Sequence, residues 1–210
     1  MTTAAVVLVG WLAVVMSCVQ FVPQVVRTVR TGDLDGVSPL MWAVLTAQGV
    51  AWATFGWRAG LVPSVLTNLV LLGSAVVMLQ RLAVGRAAAV QRALAAAAVL
   101  LAVDLVVIVT LPNAVLGALA AAIAMVSQVP QVVTALRTDD LSGLSRPMFL
   151  LGAVAGACWF LFGLGTGQPS IWVSASFVTA LTLVILARIV VTGRRSALAG
   201  DDSGAVPVTA

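Results

Sequence analysis

Val22-Pro23-Gln24-Val25-Val26 returns as Val129-Pro130-Gln131-Val132-Val133, 107 positions further along the chain. The same offset pairs Arg30 with Arg137, Asp33 with Asp140, Gly36 with Gly143, Ser38 with Ser145 and Met41 with Met148. It resumes at Trp52 and Trp159, Phe55 and Phe162, Gly56 and Gly163. Valine repeats by chance in so apolar a sequence; Pro, Gln, Arg, Asp, Met and Trp at one fixed offset do not. The chain is therefore two copies of one unit, and the repeat has to be placed before any other feature is read.

Composition says where the copies sit. Hydrophobic residues make up 61% of the chain and charged residues only 9%, with a mean hydropathy of +1.14; soluble domains carry roughly 25% charged residues. A spanning helix needs about 20 apolar residues. Uncharged stretches of that length recur along the chain, broken at Leu111-Pro112-Asn113 and again between Gly163 and Pro169. They divide into seven spans, 4–26, 39–57, 62–80, 92–110, 113–134, 147–164 and 169–190, so the fold class is all-α integral membrane.

Three is an odd number, and a second three-helix unit joined directly to the first would enter the bilayer upside down. The fourth span, alanine-rich from Ala93 to Ala98, restores the direction. The order is then 3+1+3. A first triple-helix bundle covers 1–82, an inversion linker helix 83–111, a second bundle 112–192, and a disordered cytoplasmic tail 193–210. The two bundles run parallel, related by an axis along the membrane normal.

The formal charge of +4 and a pI near 11.0 invite a nucleic-acid reading, but the arginines are scattered over helix ends rather than gathered on one face. Topology accounts for them better. With the N-terminus outside, ten of the eleven basic residues face the cytoplasm and only Arg58 stays out. This favours a multi-pass protein of the cell membrane with its C-terminus in the cytoplasm. The bilayer is the expected partner and nucleic acid is not. The first 26 residues lack a basic start and read as a span rather than a cleaved signal.

Cys18 and Cys158 each fall inside a span and read as small buried side chains, not as a disulfide or metal pair. The chain has no His and no Glu, and it shows no nucleophile elbow, phosphate loop or carboxylate pair. No enzyme activity, catalytic residue, metal site or cofactor is expected.

The doubled Pro-Gln motif, near the same end of the first helix of each bundle, resembles the PQ-loop superfamily, and the 3+1+3 arrangement narrows the resemblance to SWEET-like transporters. Trp52, then Phe55-Gly56 and, sixteen positions after the tryptophan, Asn68 are similar to the pattern of the single-repeat SemiSWEETs. Those have the fold of half this chain and must dimerise. The resemblance implies facilitated, bidirectional diffusion of a small sugar by alternating access, with the substrate in a central cavity between the bundles. Two other readings belong to the same superfamily: a proton-coupled transporter of amino acids or other metabolites, and a non-transporting membrane receptor. Homo-oligomerisation stays open, although one chain already holds both bundles that a cavity needs.

Counted inward from Arg58 and Gly60, Trp52 and Asn68 lie at one level of the membrane, roughly 9–12 Å deep at 1.5 Å per residue. A flat indole and an amide that both donates and accepts suit the C–H face and the hydroxyls of a sugar ring. Both residue types also serve as interface anchors and helix glue; Trp42, Trp57 and Trp172 fit the interfacial belt better than Trp52. The second repeat supplies Trp159 opposite Trp52 but Ala175 where Asn68 stands in the first, a departure from the symmetric Asn pair that the resemblance implies. Ser174 and Ser176 flank Ala175 and point about 100° away from it. Gln20 and Ser127, at equivalent positions on the first helices, are further polar candidates.

Pro23 and Pro130 each remove a backbone hydrogen bond inside a helix and read as hinges, with Gln24 and Gln131 beside them at a gate. Ser38 and Ser145 are N-cap residues for the helices that follow, and Asp33 and Asp140 are placed to pair with Arg30 and Arg137. Asp104 is the one acid well inside a span, a proton-site candidate by default, although it lies in the linker and outside both repeats.

Overall fold

The structure, a computed structural model of the 210-residue chain, describes residues 1–32, 34, 38–137 and 146–202, without the side chains of 21–24, 27, 130, 131, 134, 146 and 193–202. Six helical elements follow one another: α1 (Thr3–Thr31), α2 (Pro39–Arg58), α3 (Val62–Thr110), α4 (Asn113–Arg137), α5 (Arg146–Gly165) and α6 (Pro169–Asp202). Ser38 caps α2 as expected, its Oγ accepting the Met41 N–H at 3.3 Å. Ser145, Asp33 and Asp140 lie outside the described residues.

At 49 residues, α3 would be about 74 Å long if straight, more than twice the hydrocarbon thickness of a bilayer, which is about 30 Å. It is not one rod. Arg86 leaves helical geometry, with φ −137° and ψ 39°, and the chain folds back there. Leu61, just before α3, bonds to Gly56 at the end of α2. The Arg58 guanidinium, next to that turn, donates to the Ile108 and Leu111 carbonyls at the far end of α3, both at 3.4 Å. Both ends of α3 therefore lie at one face of the molecule. Leu79 on the way out packs against the cluster that Ala93 and Ala97 form on the way back with Ala43.

The two arms, 62–85 and 87–110, cover the stretches 62–80 and 92–110 that the sequence reading separates as the third span and the linker helix. The sequence reading leaves residues 81–91 between spans. In the structure the helix continues through them except at Arg86, because Ala83 to Ala98 is mostly alanine, the best helix former.

The break also corrects the position of Trp42. Read as an interfacial anchor, it is 2% exposed, packed with Met78, Leu82 and, from the returning arm, Val90. Trp57 keeps the expected exposed position at 78%. The helices overrun their expected ends: α1 reaches Thr31, α4 reaches Arg137, and α6 continues to Asp202, past the start expected for the tail.

In the first repeat, α3 packs against both α1 and α2, which do not touch each other among the described residues. In the second, α6 holds the same place between α4 and α5. The bundles meet through α1 against α5 and α2 against α4, the pattern that a twofold axis along the bundle would give. Since α4 starts beside Phe55, at the face where α1 starts, the two repeats run parallel. This face, with the N-terminus and the α2–α3 turn, is called the N-terminal face below; the opposite one is the arginine-rich face.

Alanine is what lets the returning arm lie close to α2. Ala43 and Ala97 are 0% and 1% exposed in one cluster, so Ala97→Leu should overpack it and cost about 1–3 kcal/mol. Thermal unfolding in detergent should register a fall of several degrees, while Val84→Leu, at a site 88% exposed, should leave the midpoint in place.

Candidate functional site

The repeated Trp-x-x-Phe-Gly motif puts Trp and Phe at i and i+3, on one face of a helix. In α2 the Trp52 and Phe55 rings meet edge to face, with centroids 5.5 Å apart and planes at 83°. In α5 the Trp159 and Phe162 rings repeat the geometry at 5.7 Å and 82°. Each phenylalanine then crosses to the other repeat. A Cβ added to Gly117 of α4 would come within 2.6 Å of the Phe55 ring, and one added to Gly10 of α1 within 2.6 Å of the Phe162 ring. Gly10 and Gly117 are themselves 107 positions apart, so each repeat offers a ring to the glycine of its twin.

Around these crossings lies one apolar cluster that draws residues from all six helices, Val6, Trp52, Phe55, Leu116, Ala120 and Phe162 among them. The remaining clusters of buried described residues stay within one bundle or join the first bundle to the returning arm. The bundles are thus joined toward the N-terminal face, and the tryptophans sit on the inner side of the seam.

Trp52 is 9% exposed and belongs to that cluster; Trp159, half-buried, packs against it. The structure brings both indoles to the repeat boundary. Asn68 is fixed nearby: its Nδ2 donates to the Ser64 carbonyl at 2.8 Å, and the Ser64 hydroxyl donates to the Trp52 carbonyl at 3.3 Å. Ala175 is buried at Asn68's equivalent position. Its neighbours do not replace the amide. Ser174 donates to the Ser170 carbonyl at 2.7 Å and Ser176 to the Trp172 carbonyl at 2.6 Å, both on their own helix.

Ser127 likewise turns back to the Ala124 carbonyl, whereas Gln20 reaches α5, where its Nε2 lies 3.0 Å from a Cβ placed on Gly152. The side chains of Pro23, Gln24, Pro130 and Gln131 lie outside the described residues; α1 and α4 pass through these positions as helix.

Asp104 is 0% exposed, and neither carboxylate oxygen meets a hydrogen-bond partner among the described residues. It lies on the returning arm one turn from Val107 of the apolar cluster between the repeats and two turns from Ala97, which clusters with Ala43 of α2.

Sequence reasoning missed Ser17, Gly10, Gly117 and Asn113. Ser17 of α1 accepts a hydrogen bond from the Trp159 indole N–H at 3.0 Å, across the repeats. Asn113 donates to the Phe55 carbonyl at 3.2 Å and ties α4 to α2. At the other seam, Val6 stands where Asn113 does and Gly165 where Arg58 does. No equivalent tie forms there among the described residues, and a cavity of about 500 Å³ opens beside Val6, Trp11, Pro63 and Phe162. Extending the 107-residue offset beyond the Pro-Gln motif would have flagged the glycine pair at once.

The PQ-loop repeat pattern matches this chain twice, at residues 5–65 and 113–172, more than half its length. The chain belongs to the PQ-loop repeat family. Its fold is similar to a solved structure of a eukaryotic SWEET transporter, with a TM-score of 0.71 over 91% of this chain and 98% of that one, at 13% sequence identity. A search of curated protein sequences finds no match. The protein is thus an all-helical, multi-pass membrane member of the PQ-loop family with the SWEET fold.

The ring-on-glycine crossings make a specific prediction. Gly117→Val and Gly10→Val should each destabilise the protein by about 1–3 kcal/mol through overpacking. Phe55→Ala should relieve the first and Phe162→Ala the second. A double-mutant cycle on thermal midpoints checks this: coupling is expected within each pair and near additivity across them.

Proposed function

We propose that this protein carries a small neutral sugar, or a solute of similar polarity, down its gradient by alternating access. The observation that carries the reading is the pair of repeat-equivalent indoles, Trp52 and Trp159, at the inner edge of an apolar cluster that, among the described residues, joins the repeats toward the N-terminal face. An indole offers its face to ring C–H groups, and Asn68 supplies hydrogen bonds beside Trp52. The positive-inside pattern supports an orientation with the N-terminal face outside the cell. The apolar cluster then lies toward the outer side of the two indoles, and alternating access requires it to part and re-form as substrate passes. Pro23 and Pro130, with Gln24 and Gln131, are the proposed hinges and gate of the inner side.

Uptake of labelled glucose into proteoliposomes tests the reading, in counterflow and without a pH gradient. Exchange is expected in the native protein, with a loss of about tenfold or more in Trp52→Ala and Asn68→Ala, since each removes on the order of 1.4 kcal/mol of contact with the substrate. Native rates in both variants, with the fold intact, would remove them from the pathway.

One observation favours a second reading. A carboxyl group as enclosed as Asp104 is costly in a bilayer, about 2.5–3.5 kcal/mol on insertion scales when charged, and would suit a proton site. For an uncoupled carrier, Asp104→Asn leaves the pH response of uptake unaltered; a proton-driven component that disappears in this variant supports coupling instead.

The hinge assignment has its own test. Pro23→Ala and Pro130→Ala each restore an amide donor and remove a ring clash, which should favour one access state by about 1–3 kcal/mol, or about 5- to 150-fold. Counterflow should slow in both variants, and to a similar degree, while binding from the favoured side persists.

A further inference from the structure

The two halves of the site differ in which polar groups are already engaged. Trp159 donates its indole N–H to Ser17 at 3.0 Å, and Ser17 is 5% exposed. The hydroxyls of Ser174 and Ser176 bond to carbonyls of their own helix, and Ala175 between them has no polar group. At these positions the second repeat therefore presents a ring face whose polar neighbours are already engaged. In the first repeat, Ala124 stands where the offset would place Ser17's counterpart, so Trp52 has no matching side-chain acceptor. Asn68 engages one of its two N–H groups with Ser64, which leaves the second N–H and the amide oxygen.

We propose that the substrate binds in one asymmetric pose. Its hydroxyl-bearing edge is held by Trp52 Nε1 and Asn68, its apolar face stacks on Trp159, and Ser17 is the positioning residue that fixes the Trp159 ring. The inference rests on the reading of this site as the sugar site and assigns its two walls different chemistry. The substrate class that fits has polar groups concentrated along one edge and a continuous C–H face, as a pyranose does. A solute with charged groups at both ends does not fit.

Two measurements on the whole 210-residue chain test this, and only one needs a substrate. In detergent, the indole N–H signals in ¹H–¹⁵N NMR are assigned by Trp→Phe replacement. Ser17→Ala should shift the Trp159 signal and leave that of Trp52, Ser17→Thr should restore it, and Ala124→Ser should shift that of Trp52. A Trp159 signal that ignores Ser17→Ala overturns the inference.

In glucose counterflow, Trp52→Phe keeps a ring and removes the donor. It should raise the half-saturation concentration about 3- to 10-fold more than Trp159→Phe does, the factor that one neutral hydrogen bond carries. Ala124→Ser should approach the Trp52→Phe value. Equal losses in the two Phe variants, or the larger loss in Trp159→Phe, would overturn the pose. Absence of glucose exchange in the native protein would remove the sugar assignment and with it this pose, while the indole signals still decide whether Ser17 fixes Trp159.

Discussion

Two aromatic rings pressed on two glycines hold this molecule in its shape. Phe55 of the first repeat lies against Gly117 of the second, and Phe162 of the second against Gly10 of the first. The lipid chains around a membrane protein are as apolar as its own side chains, so helix association depends on close approach rather than on expulsion of water. A position without a Cβ is where a helix surface can be approached most closely. Because the crossings come as an equivalent pair, they set both the spacing of the bundles and their rotation about the shared axis. The tryptophans one turn away take their position from them.

The parallel arrangement of the repeats depends on a second constraint, the fold-back at Arg86. Without the returning arm, α4 would enter from the arginine-rich face and the second repeat would be inverted. Phe55 could then not meet Gly117. The arm does more than reverse the chain: it buries Trp42 and packs its alanines on α2, so the first repeat carries a fourth helix against α2.

Much of this was legible in the sequence because it was written twice. The repeat offset and the uncharged stretches located the spans, and the odd number of helices per repeat identified the linker. Trp52, Trp159 and Asn68 could be singled out because a residue type and a depth together restrict what a side chain can do. What escaped were relations between helices. Nothing in the sequence around Ser17 marks it as the acceptor for an indole 142 positions away, and Asn113 reads as part of a turn, whereas the fold puts its amide on the Phe55 carbonyl. Trp42 was misplaced for a similar reason. Its environment is made by a segment that had to fold back before it could cover the indole.

The continuous chain through the returning arm also changes how the boundary between the repeats can vary. If two separate copies of a single repeat assemble around an axis, every substitution appears on both sides at once, and the site is bound to be a palindrome. Here each position exists in one place only. Ser17 can face an alanine at its counterpart, Asn68 another, and Arg58 a glycine, without any of these choices being mirrored. A helix whose first task is to turn the second repeat the right way up thereby gives each bundle its own independent line of descent.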